Sequence, residues 1–139
     1  IKDFLDSDTN ILTYGNGLAD INIKDLIKFH RSHKKTLTIS GVYPPARFGE
    51  ITLKNNRVAT FKEKPQVTEG WINGGFFVAK YKFFNFIKGD KTILEKEPLE
   101  NAAKRKQLYA YKHKGFWKCM DTSRDKDVLE KLFKKYNFN

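Results

Sequence analysis

Residues 12 to 20, Leu-Thr-Tyr-Gly-Asn-Gly-Leu-Ala-Asp, constrain the fold most, because an apolar strand there runs into a polar residue held between two glycines and then into a helix start. A chain built on that step is committed to layers of sheet and helix. Gly15 and Gly17 let the backbone turn sharply or approach a ligand closely, which sets the side chain of Asn16 at the carboxyl end of a strand. A second junction of this kind, Gly115-Phe-Trp-Lys-Cys-Met-Asp-Thr122, sets the carboxylate of Asp121 in front of another helix. Two such positions can flank one cation. Each also has a purely architectural reading, Gly-Asn-Gly as a tight turn and Asp121 as a helix N-cap.

The rest of the chain repeats the alternation. Ile1 to Leu5 reads as the end of a helix, Asn10 to Tyr14 as a buried strand, and Ile23 to His33 as a helix capped by Asn22, with Asp25 in its first turn. Ile23, Leu26, Ile27 and His30 fall on one stripe of that helix, and Lys24, Lys28, Arg31 and Lys34 on the other. Thr36 to Val42 is a strand rich in β-branched residues, and Phe48 to Leu53 and Arg57 to Glu63 form a hairpin across Lys54-Asn55-Asn56. Gly70 to Ala79 is a strand whose Gly74-Gly75 pair signals a bulge or a close backbone approach. Helices over Lys80 to Ile87 and Pro98 to Arg105, a strand over Gln107 to His113 and an amphipathic helix over Arg124 to Tyr136 complete the order. Strands interleaved with helices give an α/β architecture with a mixed sheet, the hairpin supplying its antiparallel part.

Charge narrows the partners. The 27 Lys and Arg outnumber 16 Asp and Glu, giving a net charge of +11 that favours anions. The lysines are scattered through every segment, and the chain has no paired-cysteine zinc pattern, no basic region with heptads and no ribonucleoprotein signature, so nucleic acid is supported by charge alone. No apolar run approaches the roughly 20 residues of a membrane span. The opening Ile1-Lys2-Asp3 carries no secretion-signal pattern. Cys119, the single cysteine, has no partner for an internal disulfide and reads as a small packed residue. His30 and His33 stand at a chelating spacing without a third ligand and read as a basic helix face. Trp71 and Trp117 have two uses open to them, stacking on a sugar face or filling the core.

Six ordered motifs then point one way: Leu12 to Asp20, Pro44-Pro-Ala-Arg-Phe-Gly49, Phe61-Lys-Glu-Lys-Pro-Gln66, Gly70-Trp-Ile-Asn-Gly-Gly-Phe-Phe77, Glu97-Pro-Leu99 and Gly115 to Thr122. Along its whole length the chain resembles the sugar-phosphate nucleotidyltransferases, and among them those that join CTP to glucose-1-phosphate. The resemblance implies a Rossmann-like fold with a mixed, mostly parallel sheet, helices on both faces and a hairpin insertion. It also implies truncation at the amino terminus, since nothing here matches the family's glycine-rich triphosphate-binding loop, and the 139 residues read as one carboxyl-terminal part of a single domain.

The implied reaction is attack of a sugar-1-phosphate oxygen on the α-phosphorus of CTP, giving CDP-glucose and pyrophosphate in a Mg²⁺-dependent step of deoxysugar and cell-surface polysaccharide synthesis. By resemblance, Asp121 holds Mg²⁺ and Lys64 pairs with the sugar phosphate, while Glu63 and Asn73 bond sugar hydroxyls and Gly49 and Gly74 let backbone approach the sugar. Asn16 stands where the family has an aspartate for the metal, and an amide oxygen brings no charge to a hard cation. Glu63 and Lys64 just before Pro65 also fit a surface ion pair at a strand end. The resemblance further implies a cytoplasmic homo-oligomer that binds neither nucleic acid nor membrane. An inactive sugar-phosphate-binding or assembly fragment is the alternative, and a basic nucleic-acid-binding module, resting on charge alone, is a third reading.

Overall fold

The computed structural model describes residues 2–6, 8–44, 50–62 and 70–136. Its centre is a four-stranded sheet in the order β1-β6-β3-β7, formed by β1 (Asn10–Thr13), β3 (Leu37–Val42), β6 (Ile72–Ala79) and β7 (Leu108–His113). β6 runs antiparallel to both β1 and β3, whereas β3 and β7 are parallel. The sheet is mixed, as expected, but its described pairings are mostly antiparallel. Hydrophobic period distinguishes strand from helix and carries no information on strand direction, and β6, entered from the hairpin side, runs against both neighbours.

Side-chain alternation along β6 divides the core. Phe77 and Ala79 join Leu37, Phe83, Phe84, Leu99 and Ala102 on one face, under a 3-10 helix (Tyr81–Phe86) and α2 (Glu97–Lys104). Val78, between them, turns to the other face and packs with Ile21 and Leu26 under α1 (Ile23–His33). Helices thus cover both faces. α1 starts where Asn22 accepts a 3.2 Å hydrogen bond from the Asp25 amide and stops at Lys34, which takes a left-handed φ of 58°. The expected helix over Lys80 to Ile87 is the 3-10 helix, and the expected helix end at the amino terminus is a 3-10 turn over Lys2–Phe4.

The hairpin is a separate two-stranded sheet of β4 (Glu50–Lys54) and β5 (Arg57–Lys62), turned through Asn55 at a φ of 56° that asparagine tolerates. A third sheet escaped the sequence reading. β2 (Gly17–Ala19) pairs antiparallel with β8 (Trp117–Cys119), matching Gly17 to Cys119 and Ala19 to Trp117. The glycine-bracketed Asn16 therefore leads into a short strand, and the helix waits until Ile23. α3 (Ser123–Tyr136) closes the described chain.

Candidate functional site

The bulge expected at Gly74-Gly75 is present and organises the site. Ile39 pairs with Phe77 and Gly41 with Asn73, so Ser40 alone faces the extra length of β6 from Gly74 to Phe76. Gly75 accommodates this with a φ of +80°. The displaced backbone groups find partners outside the ladder: Phe76 N–H donates to Ser40 Oγ (3.3 Å), and Gly75 N–H donates to Asn73 Oδ1 (2.8 Å). Gly75 and Gly74 carbonyls accept from the Tyr14 amide (3.0 Å) and the Trp117 indole Nε1 (2.8 Å). The bulge thereby draws β1, β8 and Asn73 to one place.

Gly74 is buried, and a Cβ built on it would lie 2.7 Å from both Ser40 Oγ and Val42 Cγ1. Close packing against β3 requires a glycine there. Trp117, tied to the Gly74 carbonyl and half-buried, is a structural brace between the β2–β8 ribbon and the central sheet. Trp71 packs its ring over Gly41 and against Tyr43, with ring centroids 4.0 Å apart, and Lys112 Nζ lies 5.7 Å from its ring centre.

Asn16 and Asp121 meet. Asn16 Nδ2 donates to Asp121 Oδ1 at 2.7 Å, and the Met120 amide donates to the Asn16 carbonyl at 2.8 Å. The other carboxylate oxygen of Asp121 accepts from the Cys119 thiol at 3.1 Å. Cys119 is half-buried, not fully packed away, and burial together with the Asp121 carboxylate pushes its thiol pKa up. Asp121 does not cap α3. That position belongs to Thr122, whose Oγ1 accepts the Asp125 amide (3.2 Å), while Asp125 Oδ2 accepts the Thr122 amide (3.2 Å) and hydroxyl (2.8 Å). Those bonds and Lys118, 3.0 Å from Asp125 Oδ1, hold the Asp125 carboxyl down at about 2. The cap leaves the exposed Asp121 available to a ligand.

Asp20, at the end of the first motif, and His113 steady this junction. Asp20 Oδ1 lies 2.8 Å from Nε2 of the buried His113, which is also 3.1 Å from the Phe116 carbonyl, and the Asp20 amide donates to that carbonyl at 3.2 Å. Both acceptors require the proton on Nε2. The pair fixes the turn that carries β8 toward Asp121.

Asn73 is half-buried beside this junction, with Nδ2 donating to the Tyr14 hydroxyl at 3.0 Å. Tyr14 in turn donates to the Glu95 carboxylate. Burial, then the bond to Glu95, push the Tyr14 phenol up to about 12, so it keeps its proton at neutral pH. Gly49, Glu63 and Lys64 lie outside the described residues.

His30 and His33 are not a solvated basic face. His30 is fully buried and its Nδ1 lies 2.8 Å from Thr38 Oγ1, to which His33 Nε2 also comes within 2.7 Å. His33 Nδ1 accepts the Lys35 amide (3.0 Å), so its proton sits on Nε2 and points to Thr38. The Thr38 hydroxyl then donates its hydrogen bond to His30 Nδ1. That leaves the His30 proton on Nε2, which has no hydrogen-bond partner among the described residues. Burial and the charges of His33, Lys80 and Arg31 lower the His30 pKa to about 4. Among the described residues no group of three or more His, Cys, Asp or Glu side chains could hold a metal, which leaves Asp121 and Asn16 as a two-residue donor pair.

Residues 1–131 match the nucleotidyl transferase family model. Glucose-1-phosphate cytidylyltransferases of Salmonella typhimurium and Salmonella typhi are each 43% identical over 130 residues, which is 94% of this chain and 51% of theirs. The chain therefore spans about half the length of these curated relatives. The crystal structure of HddC from Yersinia pseudotuberculosis aligns with a TM-score of 0.64 at 21% identity, covering 95% of this chain and 58% of that one, and shows the common fold.

Proposed function

The chain belongs to the nucleotidyl transferase family, and from that premise we propose that it carries the sugar-phosphate side of a site transferring the cytidylyl group of CTP to glucose-1-phosphate. In that reaction a phosphate oxygen of the sugar phosphate bonds to the α-phosphorus, the bond to pyrophosphate breaks, and CDP-glucose is formed. Such a step needs positioning and charge neutralisation more than covalent help. The observation that carries the reading is the 2.7 Å contact of Asn16 with Asp121, reached through a loop whose Tyr14 holds Asn73. One loop thereby joins a candidate cation end to a candidate sugar end.

Asn73 contacts a sugar hydroxyl in this proposal, with Glu63 as a second such contact, Lys64 on the sugar phosphate and Gly49 beside the sugar. Gly74 keeps the bulge tight enough for Asn73 to stand there. Mg²⁺ fits the donor pair in the company of substrate phosphates, because the exposed Asp121 carboxylate supplies the charge and Asn16 can offer its amide oxygen after the amide turns over. When bound, it neutralises phosphate charge. The work is cytoplasmic, in a homo-oligomer supplying nucleotide sugar for deoxysugar and surface polysaccharide synthesis, without nucleic acid as partner. No helix among the described residues is long and apolar enough to cross a membrane.

A second reading, a silent sugar-phosphate-binding or assembly piece, is favoured by Asn16 itself, whose N–H group occupies Asp121 where an aspartate would add a second charge. One experiment separates the two. The 139-residue chain fused to the amino-terminal half of a full-length relative is incubated with CTP, glucose-1-phosphate and Mg²⁺. Product loss on Asp121→Asn supports the first reading. Binding of glucose-1-phosphate without any CDP-glucose supports the second.

A further inference from the structure

We propose that Glu95 and Tyr14 are positioning residues for Asn73, fixing its side chain so that it presents an N–H donor to a ligand oxygen. The proposal rests on the reading of Asn73 as a sugar-hydroxyl contact and assigns a polarity to that contact. Three parts of the chain contribute: Tyr14 just after β1, Asn73 in β6, and Glu95 in the segment leading to α2.

The hydrogen bonds run in one direction only. An ionised carboxylate accepts and cannot donate, so the Tyr14 hydroxyl proton is committed to Glu95. The phenol oxygen is then an acceptor for its other neighbour, 3.0 Å away, and Asn73 must turn Nδ2 toward it. At the other end of the same amide, the Gly75 N–H can only donate, and it meets Asn73 Oδ1 at 2.8 Å. An Asn73 amide turned over would lose both bonds together. With one Nδ2 hydrogen given to Tyr14, the second remains for a ligand.

The anchorage of Tyr14 makes the chain rigid. Its amide donates to the Gly75 carbonyl at 3.0 Å, and its ring meets Phe77 edge-on with centroids 5.4 Å apart. Burial and the bond to Glu95 push the Tyr14 phenol up to about 12, so at neutral pH it keeps the proton that it gives to Glu95. Glu95 lies in the segment leading to α2, outside the strands around the bulge. Its role is to set a direction.

The test uses the ¹⁵N-labelled 139-residue chain and its Tyr14→Phe, Glu95→Ala and Glu95→Gln variants. The readouts are the Asn73 side-chain amide pair in NMR spectra and affinity for glucose-1-phosphate and inorganic phosphate. Tyr14→Phe and Glu95→Ala are expected to shift and broaden the Asn73 pair and to weaken glucose-1-phosphate about fivefold, the size of one hydrogen bond, leaving phosphate unchanged. Glu95→Gln, which still offers an acceptor, is expected to restore both readouts. An Asn73 pair unmoved by Glu95→Ala, or a Gln variant as damaged as the Ala variant, overturns the proposal. Should Tyr14→Phe fail to fold, the two Glu95 variants decide alone. If the amide pair responds as expected while the wild type binds no glucose-1-phosphate, positioning is upheld and the sugar reading of Asn73 falls.

Discussion

Asn16 donates a 2.7 Å hydrogen bond to Asp121 across a sequence separation of 105 residues, so the two positions that resemblance assigns to a metal are neighbours through an amide instead of a cation. The amide supplies a proton where two carboxylates would repel. That difference is open to direct measurement.

Asn16→Asp is expected to lower the melting temperature in EDTA by about 4 °C, the equivalent of roughly 1 kcal/mol in a chain of this size, because two unscreened carboxylates then face each other. Millimolar Mg²⁺ should return that loss and leave the wild type nearly unmoved. In the fused enzyme the same substitution should raise Mg²⁺-dependent turnover. An equal response of wild type and variant to Mg²⁺ would show that Asn16 is only a turn residue.

Gly74→Ala places a methyl group against Ser40 and Val42 at 2.7 Å, where both belong to the buried strand β3. The expected cost is about 1–3 kcal/mol, read as a lower denaturant midpoint with unchanged slope. Full stability with lost glucose-1-phosphate binding would instead assign Gly74 to ligand approach.

Lys64→Met in the fused enzyme is expected to raise the KM for glucose-1-phosphate about tenfold while CTP binding stays near its original value, as loss of one charge-assisted phosphate contact predicts. Equal losses for both substrates, or none, would return Lys64 to an ordinary surface charge.

His30 makes the fold acid-sensitive. Its pKa is about 4 when folded and near 6.5 when unfolded, so below pH 6.5 the unfolded chain takes up a proton that the native chain refuses. Stability should fall as pH drops from 6.5 to 4, by about 3 kcal/mol in all. Denaturant titrations of wild type and His30→Gln across that range should give a steep profile and a flatter one. Parallel profiles would place the acid sensitivity elsewhere.

The legible parts of the fold are those specified locally. Asn22, Asp25 and the stripe of Leu26 announced α1 to the residue, and Gly74-Gly75 announced the bulge. β2 and β8 were not legible, since three residues carry too little periodicity and each strand exists only because the other pairs with it. His30 was legible as a member of the helix's inner stripe, and only its reading with His33 as a basic face failed, because nothing in the sequence shows that Thr38, on the next strand, lies against both rings. In the site, Asn16, Asn73 and Asp121 carried motif signals, whereas Glu95 carried none. Its bond to Tyr14 spans a sequence separation of 81 residues, and only the folded chain reveals it.

The β2–β8 ribbon also dictates an order of events. Its pairing, like the contact of Asn16 with Asp121, closes a loop of about a hundred residues, while the β4–β5 hairpin closes across a two-residue turn and α1 forms within its own sequence. As the polypeptide leaves the ribosome, hairpin and helix can form early. Asn16 must wait, unpaired, until Asp121 has been made, so a chain halted before that point holds most of the central sheet and none of the junction.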